Sequence, residues 1–508
     1  MATHKAHATP TKDFFVRMIT KDISLEDCIL DLIDNCLDGA RKARHAEGPG
    51  VRVDDYSGFV AKVDFEANRF DIVDNCGGIK ISEAIDYAFH FGRRANTPTD
   101  GDYSIGLYGI GMKRAIFKIG NVIDIHSSTS AEAFKTHINV TEWLGKDAVP
   151  EPGKQPPSED WDFDLDDAER IQETGTKIAI TELYQGISAQ FANPTFANSL
   201  SRIVGRDYAQ FLAKGFEIIV NGQRVLGFDF VVRESEHFKA IRLQYTDDSG
   251  VEVDIIAGMA GLPPEDLEPP EGKRAETDYY GWFVLCNDRV VIASDKSNRT
   301  VWGDDGFPFW HYQYNGFIGV VSFHSRNANQ LPWTTTKREV DSSHPAYRRA
   351  VVKMKEISRS WINYTNERKS DMDEAKRREA GATPMPLFNV APRASLEVPR
   401  FVATTNRVVV ANISYAKPAS EVAKVKKSLG NSNMTNKEVG LKGVAADPIM
   451  VPHLTIKEKI ALDRMMPSPH SPTDGEMDGA AGFRLLRDQI DAYHRHYRHY
   501  PMFGEIQL

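Results

Sequence analysis

Residues 31–38 read Asp-Leu-Ile-Asp-Asn-Cys-Leu-Asp, within a stretch whose apolar residues recur at helical spacing. Ser24, followed three residues later by Asp27, predicts the start of this helix. Asp31 and Asn35 lie one turn apart and therefore project from the same face. A carboxylate beside a carboxamide offers an acceptor for a proton and a hard oxygen ligand for magnesium. The same pattern is also typical of a surface helix with a solvated polar side.

A predicted strand that ends in a glycine turn follows this helix. The β-forming residues at 70–73 lead to Asp74, and Gly77 and Gly78 come just after it. Glycines allow another backbone to approach closely, and a carboxylate at the end of a strand can accept a hydrogen bond from an adenine amino group. The alternative is a tight turn capped by the aspartate.

The third segment is a glycine loop, residues 106–111, that leads into a predicted helix from Met112 to about Ile119. Backbone N–H groups at the start of a helix suit phosphate oxygens, and Lys113 lies in the first turn. A Walker loop is excluded because Arg114, not serine or threonine, follows Lys113. A glycine loop of this kind can also be an ordinary turn.

The order of these segments resembles the GHKL superfamily, the Bergerat-fold ATPases of DNA gyrase B, MutL, the ninety-kilodalton heat-shock chaperones, histidine kinases and the MORC proteins. A fourth segment, which begins at Gly175 and Thr176, is similar to the Gly-Thr strand of that family. The resemblance covers residues from about 14 to 183 and is nearest to MORC-type proteins and their bacterial relatives. It implies ATP and Mg²⁺ as ligands, and an α+β fold with helices on a mixed sheet.

The resemblance also implies a role for individual residues. Asn35 would be the magnesium ligand, Asp74 would bind the adenine amino group, and a lid from about Tyr87 to Ser104 would close on the nucleotide. Asp31 would activate the attacking water, although most relatives have a glutamate there, so we expect slow turnover. The other implied ATP-binding residues are Gly78, Ile79, Gly106, Leu107, Tyr108, Gly109, Ile110, Gly111, Met112, Lys113 and Thr176.

Strand patterns continue to about residue 365. Asn221 and Gly222 predict a hairpin turn, and residues 281–290 resemble a core strand of the transducer domain of gyrase, MutL and MORC relatives. In those relatives a lysine of the second domain reaches the terminal phosphate, and Lys337 is the candidate catalytic cation here. Such a lysine would make domain closure depend on the bound nucleotide. The alternative is a solvated loop lysine.

The length of 508 residues allows two domains and a smaller third region. The predicted divisions are an ATP-binding domain with an N-terminal strap at 1–183, a transducer-type α/β domain at 184–365, a charged and proline-rich linker at 366–400, and a small, mostly helical C-terminal region at 401–508. We expect Phe14, Phe15 and Met18 to anchor the strap to the ATP domain or to a partner subunit.

Composition narrows the classes of partner. A net charge of −9 is not a general nucleic-acid signature, so DNA binding would need a local patch. The lysines at 424–442 could form such a patch or could be a solvated or partner-docking face. Four cysteines without metal-ligand spacing indicate a reducing compartment. No apolar run is long enough to span a membrane, so we predict a cytoplasmic protein with no membrane partner.

These observations predict a magnesium-dependent ATPase. By resemblance, ATP would close the lid and join two ATP-binding domains into a homodimer that clamps or remodels a partner, either DNA or a protein client. Genome maintenance or anti-phage defence rests on that resemblance alone. The alternative is a nucleotide-gated interaction switch, or a chaperone-like module, with little or no hydrolysis, because Asp31 replaces the usual glutamate.

Overall fold

The computed structural model describes residues 10–45, 52–92, 103–106, 109–146, 160–170, 174–265, 279–303, 306–401, 433–435 and 448–450. The chain divides into two compact units. The first unit consists of Met1–Asn366 and Asp373–Pro399, and the second of Glu367–Met372 and Arg400–Leu508. The helices are α1 (Lys12–Lys21), α2 (Leu25–His45), α3 (Ile81–Glu83), α4 (Gly111–Ile119), α5 (Val140–Leu144), α6 (Gln185–Phe191), α7 (Phe196–Asp207), α8 (Ala209–Ala213), α9 (Pro345–Glu367) and α10 (Met372–Ala380).

Most of the strands belong to two sheets of the first unit. The strands are β1 (Val60–Glu66), β2 (Arg69–Asp74), β3 (Gly120–Ser128), β4 (Ala133–Asn139), β5 (Asp166–Asp167), β6 (Gly175–Leu183), β7 (Glu217–Val220), β8 (Gln223–Arg224), β9 (Val231–Glu234), β10 (Ile241–Thr246), β11 (Glu252–Met259), β12 (Gly281–Cys286), β13 (Arg289–Asp295), β14 (Phe317–His324), β15 (Thr383–Pro386), β16 (Asn433–Thr435) and β17 (Pro448–Met450). Mixed sheets with helices packed on them confirm the predicted α+β fold class.

Helix α2 begins where the sequence predicts, because the Ser24 hydroxyl accepts a hydrogen bond from the backbone N–H of Asp27 (3.1 Å). Its predicted apolar face is buried. The polar face does not behave as a solvated surface, because Asp31 and Asp34 are only 3% and 0% exposed. Other parts of the unit therefore cover the acidic side of this helix.

The first sheet has the order β5-β4-β3-β6-β2-β1-β7-β8. Its pairings are antiparallel except β1 with β7. The ends of β2 and β6 meet, since Val73 is opposite Lys177. A Cβ atom on Gly175 would lie 1.9 Å from the carbonyl oxygen of Asp74, so only glycine permits this contact. The register thus brings Thr176 beside Asp74.

The first sheet extends past the boundary that we predicted at residue 183. Strand β7 pairs with β1, and its Ile218 and Val220 are buried. The predicted turn at Asn221 and Gly222 joins β7 to β8, and both residues have the positive φ angles that such a turn requires (46° and 74°). Residues up to Arg224 therefore contribute to the first sheet.

The second sheet has the order β13-β12-β14-β11-β9-β15, with β10 on β11. Strands β12 and β14 run parallel, and every residue of both is buried. Helix α9 packs on this sheet, since the Trp282 indole donates to the Ser358 hydroxyl (2.9 Å). Such continuous apolar strands are expected where both faces of a sheet are covered.

The linker predicted at 366–400 is not observed between residues 373 and 399, which pack against the second sheet. Strand β15 pairs antiparallel with β9, and Leu387 and Val390 are buried in the core cluster of that sheet. The prediction of a linker was based partly on Pro384 and Pro386. Both lie on an edge strand, where a missing backbone N–H is tolerated.

The predicted N-terminal strap is helix α1, and one of its three predicted anchors packs within the chain. Phe15 contacts the rings of Phe91 and Trp161 at 5.0 and 5.6 Å, whereas Phe14 and Met18 are 59% and 52% exposed. The ammonium group of the buried Lys12 donates to the carbonyls of residues 143, 146 and 160. Phe15 and the Lys12 ammonium therefore hold this helix within the chain, and anchoring of Phe14 and Met18 to a partner subunit stays a prediction.

The second unit is described over a small part of its length. Beyond residue 401, its described residues form the antiparallel pair β16 and β17. The lysines at 424–442 and most of the predicted helical C-terminal region lie outside the described residues. Among the described residues, no helix combines the length and the apolar character needed to cross a membrane.

Candidate functional site

A cavity of about 540 Å³ lies in the first unit. Its volume is within the range of small-molecule sites. It brings together all the predicted site residues that the structure describes: Asp31, Asn35, Asp74, Gly78, Ile79, Gly106, Gly109, Ile110, Gly111, Met112, Lys113, Thr176 and Lys337. Leu107, Tyr108 and residues 93–102 of the predicted lid lie outside the described residues.

Asp74 is held rigidly at one end of the cavity. One oxygen of its carboxylate accepts the backbone N–H groups of Cys76 (2.7 Å) and Thr176 (3.4 Å). The other accepts the thiol of Cys36 at 3.6 Å, and burial raises the pKa of this carboxyl group. The Ser127 hydroxyl, 2.9 Å from that of Thr176, extends the same polar wall. An oriented carboxylate in a polar wall suits the amino edge of a purine.

The turn after Asp74 has no room for a side chain at Gly78. Its φ angle is +72°, and a Cβ atom there would lie 2.2 Å from the carbonyl oxygen of Ser128. The next residue, Ile79, donates its backbone N–H to the Ser127 hydroxyl (2.8 Å). The turn therefore lies against β3 and lines the cavity beside Asp74.

Asp38, also on α2, fixes the start of the glycine loop. Its two carboxylate oxygens accept the backbone N–H groups of Ile105 (2.9 Å) and Gly106 (2.6 Å). Sequence reasoning placed Asp38 on the polar face of α2 but gave it no role. A carboxylate one turn after Asn35 was the available signal.

Asn35 meets the requirement for a magnesium ligand. Its side chain is exposed and lines the cavity one helical turn from Asp38. A carboxamide oxygen is a hard donor, and magnesium in nucleotide sites usually takes few protein ligands because phosphates and water supply the others. Asn35 therefore fits the ion that the resemblance implies.

Asp31, the predicted water-activating carboxylate, is tightly held. The Nε and Nη2 atoms of Arg114 both lie 2.6 Å from its Oδ2 atom. The ammonium of Lys337 lies 3.8 Å from its Oδ1 atom. The sequence signal for Arg114 was its place in the first turn of α4, directly after Lys113.

Lys337 reaches the cavity from the loop that follows β14, one of the two fully buried strands of the second sheet. Its ammonium lies 2.6 Å from the Oδ2 atom of Asp34, and its φ angle of +56° is unusual for a residue with a side chain. Asp34 also accepts the Tyr208 hydroxyl (2.8 Å) and pairs with the Arg289 guanidinium (2.9 Å). Burial acts to raise the pKa of Asp34, but Arg289 and Lys337 outweigh it, and the net shift is downward.

A second ion pair secures the same loop. Arg338 contacts Asp27 on α2, and its Nη1 atom lies 2.6 Å from Asp207 on α7. Sequence reasoning missed Arg338, Asp207, Arg289 and Tyr208 as parts of the site. The signal that could have found the cations was the density of carboxylates on α2, since buried carboxylates need partners.

Lys113 does not face the open part of the cavity. Its side chain is 2% exposed, and its ammonium donates to the carbonyls of Ala88 (2.8 Å) and His90 (2.7 Å). It also lies 5.8 Å from the ring of Phe91. Burial lowers the pKa of Lys113 to about 7. This lysine therefore holds the first residues of the predicted lid.

The pH dependence of ATP affinity tests whether Lys113 also meets the phosphates. A phosphate partner would raise the pKa of Lys113 from about 7, so that binding takes up a proton. The contribution of Lys113 is then constant below pH 7 and falls by at most about tenfold per pH unit above it. Titration calorimetry from pH 6 to 9 measures the ATP affinity of the wild type and of Lys113→Met. The variant is the control, because the protonation of ATP itself affects both proteins equally. Parallel profiles for the two proteins would show that Lys113 does not sense the phosphates.

A family model described as histidine kinase-, DNA gyrase B-, and HSP90-like ATPase matches residues 23–160. The matched range contains α2, the turn after β2 and the glycine loop, which supply most of the cavity wall. No curated protein was found to match the chain.

Proposed function

We propose that the protein is a magnesium-dependent ATPase whose second sheet senses the terminal phosphate. The match of residues 23–160 to a family model described as histidine kinase-, DNA gyrase B-, and HSP90-like ATPase supports this proposal. The observation that carries this proposal is the position of Lys337. It comes from outside the matched range, yet its ammonium lies in the cavity, 2.6 Å from Asp34.

In this proposal the adenine and the phosphates of the nucleotide bind to different parts of the cavity. Asp74 accepts the adenine amino group, and the backbone N–H groups of the glycine loop and of the first turn of α4 donate to phosphate oxygens. Asn35 holds the magnesium ion, which when bound neutralises phosphate charge. The Asp38 carboxylate keeps the start of the glycine loop in place through the two N–H groups that it accepts.

Lys337 distinguishes triphosphate from diphosphate. In the structure its ammonium is paired with Asp34, and Asp31 lies 3.8 Å away. A γ-phosphate brings further negative charge to this end of the cavity and competes for the ammonium. The loop that carries Lys337 then occupies different positions with ATP and with ADP, because only ATP supplies the competing charge.

The consequence of ATP binding that we propose is lid closure, followed by pairing of two ATP-binding domains around a partner. The support for the pairing, and for a transducer role of the second sheet, is the resemblance to MORC, MutL and gyrase. The same resemblance makes DNA the first partner to test, in genome maintenance or anti-phage defence. A protein client is the alternative, as in the heat-shock chaperones.

Turnover and light scattering test this function together. We expect Mg²⁺-dependent ATP turnover that duplex DNA raises several-fold, and dimers in the presence of a non-hydrolysable ATP analogue. Asn35→Ala should lose the Mg²⁺-dependent activity, because the helix face at that position no longer carries an oxygen ligand. Failure of the purified protein to bind ATP with Mg²⁺ would contradict the proposal.

The second candidate function is a nucleotide-gated switch with negligible hydrolysis. One observation favours it: Asp31 is 3% exposed and its carboxylate is held by Arg114. If Asp31 is the base, Asp31→Asn should lower turnover by at least about a hundredfold. Tight ATP binding and dimerisation without turnover, or turnover unaffected by Asp31→Asn, would remove Asp31 from the catalytic role.

A further inference from the structure

The turn between β12 and β13 connects the second sheet to two separate parts of the cavity. Its residues Asn287 and Asp288 have φ angles of +45° and +68°, and Arg289 begins β13. Asparagine and aspartate tolerate this left-handed conformation better than other residues with side chains. All three side chains are buried. Each contacts a different element.

Asn287 holds the residue that leads into the glycine loop. Its side-chain amide donates to the carbonyl of Ser104 (3.0 Å) and to that of Ser325 (3.2 Å), and its side-chain oxygen accepts the N–H of Ser325 (3.0 Å). Ser104 directly precedes Ile105, whose N–H, with that of Gly106, binds Asp38. The start of the glycine loop is therefore held by α2 on one side and by the second sheet on the other.

Arg289 holds Lys337. Its guanidinium is 2% exposed, pairs with Asp34 at 2.9 Å, and donates to the backbone carbonyl of Lys337 (3.1 Å). The same arginine therefore fixes both the carboxylate that receives the Lys337 ammonium and the backbone from which that ammonium extends. The planar guanidinium presents several donors in a fixed fork, whereas a lysine ammonium is a single point of charge and would not reproduce both contacts in the same geometry.

Asp288 fixes the turn between these two contacts. Its carboxylate lies 2.6 Å from the Lys214 ammonium, 3.0 Å from the His324 ring and 3.7 Å from the Arg52 guanidinium. Lys214 and Arg52 flank strands of the first sheet, whereas His324 ends β14 of the second. The turn is thus bound from both sheets and cannot move without breaking buried ion pairs.

From these contacts we infer that the β12–β13 turn sets two of the protein contacts to the nucleotide phosphates: Asn287 positions the glycine loop and Arg289 positions Lys337. Both are positioning residues, because neither lines the cavity. The inference rests on the proposed ATPase function. It adds that one turn of the second sheet, remote in sequence from the matched range, determines nucleotide affinity and γ-phosphate sensing through two different residues.

Asn287→Asp separates positioning from folding. Aspartate tolerates the same φ angle and keeps the oxygen that accepts the N–H of Ser325, but it loses the amide that donates to Ser104. Asn221→Asp is the matched control, since Asn221 has a φ angle of +46° in the β7–β8 turn and binds the backbone of Phe65. We expect the KM for ATP to rise about tenfold in Asn287→Asp, with kcat within about twofold, and both values unchanged in the control.

Arg289→Lys should show the opposite division, because it acts on Lys337 rather than on the loop. We expect kcat to fall about tenfold with a small change in KM, since Lys337 contributes mainly when charge develops on the γ-phosphate. If turnover is too slow to measure, the ratio of ATP to ADP affinity replaces kcat, and it should fall in Arg289→Lys but not in Asn287→Asp.

A double-mutant cycle with Asp38→Asn tests whether Asn287 acts through the glycine loop. If both residues hold the same segment, the combined variant should lose less ATP affinity than the product of the single losses. Independent losses of ATP affinity in the double-mutant cycle would overturn the inference. So would single variants that match the wild type, or single variants in which KM and kcat change equally. If urea unfolding shows that Asn287→Asp is not folded, Asn287→Ser is measured in its place. Absence of ATP binding by the wild type would instead overturn the proposed function itself.

Discussion

Lys337→Met is expected to lower ATP turnover by about a hundredfold, while ADP affinity stays within about twofold. Lys337 lines the cavity, and among the described residues its ammonium pairs with Asp34 at 2.6 Å and Asp31 at 3.8 Å. In the proposed function it leaves Asp34 for the γ-phosphate, so its loss removes a charge that stabilises the transition state. ADP lacks the γ-phosphate, so its affinity should change little.

Steady-state turnover and ADP titration measure the two quantities in the same preparation. Lys353→Met is the matched control, because Lys353 lies on the exposed face of α9 and pairs only with Glu356 in the contacts that the structure gives it. It should leave both quantities unchanged. Equal turnover in Lys337→Met and the control would show that the loop lysine has no role in sensing or hydrolysis.

Asp34→Leu is expected to lower the free energy of unfolding by about 3–5 kcal/mol. Asp34 is 0% exposed and receives Arg289, Lys337 and the Tyr208 hydroxyl. Without the carboxylate, the Arg289 guanidinium and the Lys337 ammonium remain buried in the interface between the two sheets with less compensating charge. The penalty of an uncompensated buried charge is larger than the gain from added apolar volume.

Urea unfolding at pH 7 measures this loss, and Asp13→Leu is the control. Asp13 pairs with Arg17 at 2.9 Å on the exposed face of α1, with side-chain exposures of 56% and 79%, so its removal should cost less than about 0.5 kcal/mol. A loss below about 1 kcal/mol in Asp34→Leu would show that the cations find other partners.

The stabilising effect of Asp34 should also depend on acidity. Its pKa is lowered from the ordinary value of 3.8, so the folded state holds the ionised form more strongly than the unfolded chain does. The contribution is therefore complete above pH 3.8 and is lost as the pH falls below that value towards the pKa in the folded state.

Local patterns of the sequence were sufficient for much of the site. The Ser24 cap, the apolar face of α2, the strand that ends at Asp74 and the helix after the glycine loop all depend on residues within a few positions of one another. The resemblance was based on the same segments, and the structure brings them to one cavity. The linker predicted at 366–400 was wrong over residues 373–399, because proline and charge mark both linkers and edge strands.

By itself the sequence indicated the resemblance that the family match over residues 23–160 supports, the α+β fold class and many of the residues that line the cavity, since capping, periodicity and glycine spacing are local properties. The tertiary structure alone decided which charges meet there. Lys337 and Asp34 are 303 positions apart, and Arg114 and Asp31 are 83 apart. No local rule pairs them, because burial removes water from the carboxylates of α2. Only the packing of α4 and of the loop that carries Lys337 against that helix determines which cations replace the water.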